Sequence, residues 1–338
     1  MKTLFLITLN LLAHPIWAQQ FHLKNIATDV NSSFRGLSVV NDQVAWVSGS
    51  NGWVGLSTNG GEHWKFNQVS GHETSGFRSL YAFDEHRAII ANAGSPANIL
   101  LTTDAGKTWE VVYTNNREAA FIDGVDFWNE EEGLIYGDPI DGKMLLLKTS
   151  DGGYTWNEVL NAPQLNDGEA SFAASGTGIR CTGKSQAYIS TGGITSRLWT
   201  TTDKGNSWSV LNPPIIQGDV ATGIYSFAMN KNNIILVGGD YTRPALATQH
   251  NLYSTDRGAT WNTPSPSSRG YRECVEFITK NILLTTGPTG TDISYDHGIS
   301  WNAFSDAEGF HVVRKARKGN LVVMAGNDGQ IGLVKRSK

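Results

Sequence analysis

The sequence predicts an all-β fold, a seven-bladed β-propeller of four-stranded antiparallel blades. Three observations predict it. A turn motif recurs six times, its copies are near-regularly spaced, and the composition favours short strands joined by tight turns. The motif reads Ser/Thr, any residue, Asp or Asn, any residue, Gly, two of any residue, Trp. It occurs at Ser57–Trp64, Thr102–Trp109, Thr149–Trp156, Thr201–Trp208, Ser254–Trp261 and Ser294–Trp301. Its third positions are Asn59, Asp104, Asp151, Asp203, Asp256 and Asp296, separated by 45, 47, 52, 53 and 40 residues. A period of about 40–50 residues with four short strands per unit marks a propeller blade. The 338 residues include 37 Gly and 10 Pro, with 17% charged. A net charge of −4 makes no electrostatic case for nucleic acid.

Each motif is a self-bonded turn. The Asp or Asn side chain accepts from backbone N–H groups just downstream. The Gly two residues on supplies a positive φ that a Cβ would resist. Strand-like runs flank the motif, such as Leu145–Thr149 before it and Trp109–Tyr113 after it, so each copy joins two antiparallel strands.

The chain opens like a secretory signal. Lys2 precedes the apolar run Leu4–Leu12, and Ala18 is a small residue before Gln19. Residues 1–18 are therefore expected to be cleaved, leaving one propeller domain over 19–338 outside the cytoplasm, secreted or periplasmic. There is no Cys near the cleavage point to carry a lipid, and no later run is long enough for a membrane helix.

Two further strand-like runs precede each motif: Phe34–Val40 and Val44–Gly49 in the first unit, Phe77–Phe83 and Ala88–Ala93 in the second. After the sixth motif a partial seventh unit follows, with Phe310–Lys315, Leu321–Gly326 and Gln330–Lys335, and then the chain stops. The missing fourth strand is assigned to Phe21–Ile26, with Phe21 expected where other units carry Trp. That strand closes the ring and leaves no bare edge at the joint. Insertions at Asn161–Thr177, Pro213–Gly223 and Asp240–His250 are expected loops.

Aligning the units places a polar residue near the start of each first strand: Arg35, Arg78, Asp123, Arg180, Tyr225, Arg272 and His311. First strands line a propeller's channel, so these residues are expected to form a ring at one mouth. Asp138, Asp240, Tyr241 and Arg243 follow second strands and are expected near the same mouth. Converging guanidinium groups need carboxylates or an anionic ligand. Asp123, Asp138, Glu169, Asp240 and Glu273 are candidate local partners, and paired arginines still bind a carboxylate or phosphate.

Cys181 and Cys274 fall in non-adjacent units and point to opposite faces by strand alternation, which favours two buried thiols over a disulfide. No His pair has ligand spacing on one element, and there is neither a phosphate loop nor a nucleophile elbow, so no metal, cofactor or catalytic residue is assigned.

The motif resembles the Asp box, or BNR repeat, of sialidase-like propellers. Sialidases grip a carboxylate with arginines and use a Tyr/Glu nucleophile pair, for which Tyr225 with Glu169 or Glu273 is the nearest analogue. Their Arg-Ile-Pro motif is absent; Phe34-Arg35-Gly36-Leu37 stands in its place. The chain is more similar to the photosystem II assembly and stability factors, seven-bladed with boxes in successive blades and Phe-Arg starts, as at Phe34-Arg35 and Phe77-Arg78. That resemblance implies a non-catalytic scaffold, expected as a monomer, that binds another protein or an anionic or carbohydrate ligand through the arginine-bearing mouth. The photosystem role itself is not carried over. An exo-acting glycoside hydrolase of sialidase type is the alternative. In either case the box aspartates are turn clamps, not catalytic groups.

Overall fold

The computed structural model describes residues 21–337, and the expected signal segment lies outside them. Seven antiparallel sheets follow one another around a ring. Blade 1 is Phe34–Val39, Ala45–Gly49, Trp53–Ser57 and Lys65–Gln68. Blade 2 begins at Phe77–Ala82, blade 3 at Ile122–Phe127, blade 4 at Ile179–Thr182, blade 5 at Thr222–Asn230 and blade 6 at Cys274–Phe277. Blade 7 is Phe310–Lys315, Val322–Gly326 and Ile331–Arg336, completed by Phe21–Ile26. That last pairing runs unbroken from Phe21 opposite Arg336 to Ile26 opposite Ile331. The ring is thus closed by the N-terminal strand. One detail differs: Lys24 faces Leu333 as Lys65 faces Leu56, so Leu23, not Phe21, holds the register of Trp64.

Blade 5 departs from the four-strand rule. Its outer strand shrinks to a single bridge between Tyr253 and Asn262. Pro264 and Pro266 follow at once, and a residue without an N–H cannot extend the ladder. The insertions compensate on the inner side. Glu169–Ala170 pairs with Gly192–Gly193, and Gly192 pairs with Gly223, so blades 4 and 5 share main-chain hydrogen bonds.

The six turns repeat one bonding scheme. In the third, Thr149 Oγ1 donates to Asp151 Oδ1 at 2.8 Å and accepts from Gly153 N at 3.0 Å. Asp151 also accepts from Thr155 N and Thr155 Oγ1. The residue before the Gly shares its positive φ even where it has a Cβ, as at Ala105, Lys204, Arg257 and His297. The bonds to Thr108 hold the Asp104 carboxyl down to about 2. Apolar packing fills the spaces between blades. Trp46 of blade 1, for instance, meets Trp109 of blade 2 edge to face at 6.4 Å.

First strands carry a bulge near their start. Arg35, Arg78, Asp123, Tyr225 and His311 are the unpaired residues where the register shifts in blades 1, 2, 3, 5 and 7. Such an extra residue re-aims its side chain. This position builds the candidate site.

Candidate functional site at the channel mouth

The bulge position is filled differently in blades 4 and 6 from the sequence alignment. In blade 6, Cys274 pairs with Thr286 while Glu273 N also donates to Thr286 O at 2.8 Å, so Glu273 is the bulge residue. In blade 4 the ladder continues through Ser190 N to Gly178 O, which puts Thr177 there. The ring is therefore Arg35, Arg78, Asp123, Thr177, Tyr225, Glu273 and His311. Arg180 and Arg272 do not belong to it. Arg180 sits further along its strand, where it meets Glu276 at 3.0 Å. Arg272 is fully buried, with Nε and Nη2 at 2.9 and 2.6 Å from Asp292 Oδ2.

Glu273 is the hub of this ring. Its Oε2 lies 2.5 Å from His311 Nδ1 and 3.4 Å from Arg35 Nη1, and its Oε1 accepts from Tyr271 at 3.2 Å. Burial raises its carboxyl, but the His311 bond and the Arg35 charge outweigh burial and hold it below the usual range. Arg35 Nη1 also donates to the Ala174 carbonyl at 2.6 Å. Arg35 thus reaches from blade 1 to blade 6 and to the segment before blade 4, so the cluster spans the ring of first strands.

That segment packs against the bulge residues of blades 5 and 6. Phe172 stacks on Tyr225 with centroids 3.8 Å apart, and Tyr271 meets Tyr225 edge to face at 4.7 Å. Ser175 Oγ donates to the Glu273 carbonyl at 2.7 Å, and Thr177 Oγ1 donates to Ser226 Oγ at 2.7 Å. Glu169 anchors the segment's base by accepting from Thr191, Arg197 and Trp199. Tyr225 donates to the Ala221 carbonyl, and the tyrosine that hydrogen-bonds Glu273 is Tyr271.

Asp123 and Arg78 are the unsatisfied members. Asp123 is fully buried, and neither carboxylate oxygen has a hydrogen-bond partner. Burial pushes its carboxyl well above the ordinary range, the Asp138 charge adds to this, and Arg78 opposes it. Asp138 accepts from Ser171 N at 2.9 Å. Arg78 is half-buried and makes no hydrogen bond among the described residues. It faces the charges of Arg35, Asp123 and Glu273, and burial depresses its guanidinium. Asp240 turns back on Thr242 and Arg243, and the Arg243 side chain is 63% exposed. Tyr241 is exposed near Tyr225.

Both cysteines are free thiols; Cys274 is buried, but Cys181 is only half-buried. Among the described residues no group of three His, Cys, Asp or Glu is arranged for a metal, and no helix is long and apolar enough to cross a membrane. Alignment by sequence named Glu273 only as a local partner of the arginines and did not name Thr177, so it placed neither at the bulge position. The bulge that fixes the position leaves no residue signature, and the long insertion before blade 4 blurs the count.

No curated protein matches the chain. Among solved structures it is similar to one titled "YCF48 bound to D1 peptide", at 15% identity and TM-score 0.66, covering 94% of this chain and 97% of that one. YCF48 from Cyanidioschyzon merolae aligns at 14% identity and TM-score 0.66, over 92% of this chain and 98% of that one. A xyloglucanase of glycoside hydrolase family 74 from Xanthomonas campestris aligns at 15% identity and TM-score 0.63, over 92% of this chain. The chain spans only 53% of that enzyme. These likenesses show the fold. The family profile described as "Photosynthesis system II assembly factor YCF48" matches residues 16–120 and again 93–213, more than half of the chain. The chain therefore belongs to the YCF48 photosynthesis system II assembly factor family.

Proposed function

We propose that this propeller is a non-catalytic binding scaffold, acting as a monomer outside the cytoplasm, that grips an acidic segment of another protein at the channel mouth. The observation that carries the reading is Arg78. Its guanidinium is half-buried at the mouth, has no hydrogen bond among the described residues, and stands beside Arg35. A planar donor fork left free in a partly desolvated setting is suited to a carboxylate. A relative whose title names a bound peptide supports a protein segment as the ligand class.

The hydrolase alternative draws less support. Glu273 is tied to His311, Arg35 and Tyr271, and Asp123 is sealed from solvent. Glycoside hydrolysis needs two carboxyls flanking an open scissile bond.

The test is fluorescence anisotropy with labelled peptides carrying acidic residues or a free C-terminal carboxylate, beside amidated and neutral controls. Acidic peptides should bind, and Arg78→Ala and Arg35→Ala should each weaken binding about tenfold or more, equal to ~1.4 kcal/mol. Equal binding of neutral peptides, or no change on Arg78→Ala, rules out the mouth as the contact. Cleavage of fluorogenic glycosides that is lost on Arg35→Ala favours the hydrolase.

A further inference from the structure

Three strands of the blade 5 sheet end together, just ahead of the bulge at Tyr225. Gly192 pairs with Gly223, and Thr222 pairs with Asp240. Past these pairs the strands release Ile194, Ala221 and Tyr241 side by side, with Val220 next to Ala221. Ile194 is 46% exposed, Val220 69% and Tyr241 53%. The other exposed large hydrophobic residues among the described ones, Val111, Tyr154, Leu160 and Ile299, lie at outer strands and box turns. Single exposed apolar residues are ordinary, but three at one sheet end form a patch.

Backbone hydrogen bonds hold this tip in shape. Val220 sits in a turn closed by Thr222 N to Asp219 O at 3.0 Å, with Ala221 N on Asp219 Oδ1 at 3.0 Å. Tyr241 sits in a similar turn, where Arg243 N donates to Asp240 O at 3.1 Å and Thr242 N to Asp240 Oδ1 at 2.8 Å. Ile194 N donates to Gly168 O at 2.9 Å, and its side chain lies against Gly168, where an added Cβ would stand 2.5 Å from Ile194 Cγ1. An apolar group already fixed in water by its own backbone loses little freedom when it is covered. The tip is also continuous with the arginine cluster. Tyr225 donates to the Ala221 carbonyl at 2.8 Å and stacks on Phe172. Ala174, whose carbonyl accepts from Arg35, packs in one cluster with Tyr225 and Tyr271.

We propose that this tip receives one large apolar side chain, aromatic by preference, from the same acidic segment that Arg35 and Arg78 grip; the inference rests on that reading of the arginines. Size selects this occupant over a second copy of the chain. Three partly exposed side chains fall well short of the roughly 800 Å² per partner that a stable protein interface buries. They suit a single aromatic side chain, which buries about 150–250 Å² and packs on Tyr241 by face or edge. The acidic group then fixes the segment on the arginines, and the apolar side chain sets its direction along the path from Arg35 through Tyr225 to Val220.

The test is fluorescence anisotropy with the full chain and labelled acidic peptides in which Phe or Ser stands at successive positions from the carboxylate. One placement of Phe should tighten binding about tenfold over Ser. Tyr241→Ser and Val220→Ser should each remove most of that gain and leave binding of the Ser peptide unchanged. Both positions are exposed, so the variants should fold as the wild type does. Arg78→Ala should weaken Phe and Ser peptides alike. The two readings fail separately. Phe peptides that need Tyr241 but ignore Arg78→Ala overturn the acidic grip and leave the apolar tip standing. A flat Phe scan, or a gain that survives both Tyr241→Ser and Val220→Ser, overturns the tip. So does a concentration-dependent dimer in size-exclusion chromatography that Val220→Ser dissolves, which assigns the patch to a second copy.

Discussion

His311 Nδ1 lies 2.5 Å from Glu273 Oε2, a contact that ties blade 7 to blade 6 at the channel mouth. Both side chains are buried, and Arg35 adds a third group on the same oxygen. Truncating one member of such a cluster strands the others. Glu273→Ala is expected to cost about 3–5 kcal/mol in urea unfolding at neutral pH. The pH dependence has a definite sign. The folded carboxyl lies below its ordinary 4.5, so its contribution is present above that value and lost as pH falls through the folded one. Glu273→Gln should therefore flatten the acid limb of the stability profile. A mutant whose acid limb matches the wild type would show that the cluster carries no such linkage.

The fold was legible because the boxes are covalently local. Each packs its signals into eight residues, so counting from box to box yields seven units and exposes the unpaired strand Phe21–Ile26. The mouth was only partly legible. Arg35, Arg78, Asp123, Tyr225 and His311 share a register that survives naive alignment. Arg180 and Arg272 did not, because the bulge is a hydrogen-bonding feature that no residue type marks. The neighbouring arginine, conspicuous by its chemistry, drew the alignment away from Thr177 and Glu273. Asp126, Glu276 and Arg314 recur at one offset, but polar residues in an inner strand carry no signal until the register is known.

Arg272 and Arg78 should behave oppositely despite their similar place in the sequence pattern. Arg272 is fully buried against Asp292, so Arg272→Ala removes one of that carboxylate's two guanidinium partners, Arg269 being the other, and should destabilise by about 1.5–3 kcal/mol. Arg78 has no partner to strand, and Arg78→Ala should change stability by less than about 1 kcal/mol. Chemical denaturation of the two variants side by side decides this. A severely destabilised Arg78→Ala would make that residue structural and weaken its assignment to ligand binding.

Asp123 gives the reverse pH signature to Glu273. Its folded carboxyl lies well above the ordinary 3.8, so the folded state holds a proton that the unfolded state releases. Stability then falls as pH rises from about 3.8 through the folded value. Asp123→Asn removes the cost of keeping that carboxyl protonated and should raise stability at pH 7 by about 1–3 kcal/mol. The gain should vanish in acid. Unfolding midpoints at pH 7 and pH 4 test it, and a variant less stable than wild type at neutral pH would show that Asp123 is ionised and paired with Arg78.

Ring closure rests on one short strand. Phe21 is buried, and Leu23 and Ile26 pack against the core of blade 7, while the backbone pairs with Ile331–Arg336 along its whole length. A chain beginning at Ala27 loses that apolar burial, at least about 3 kcal/mol from three partly or fully buried side chains. It also bares the edge of Ile331–Arg336, a template for pairing with another chain. Such a chain should unfold at lower temperature and form concentration-dependent oligomers by size-exclusion chromatography. Because the missing strand binds only the folded ring, a synthetic peptide of residues 19–28 added in trans should restore the unfolding temperature as its concentration rises. Leu23→Asp in that peptide should abolish the rescue, since this position takes the place of the box tryptophan against Gly332. A shortened chain that stays monomeric and equally stable would mean that the ring does not depend on its N-terminal strand.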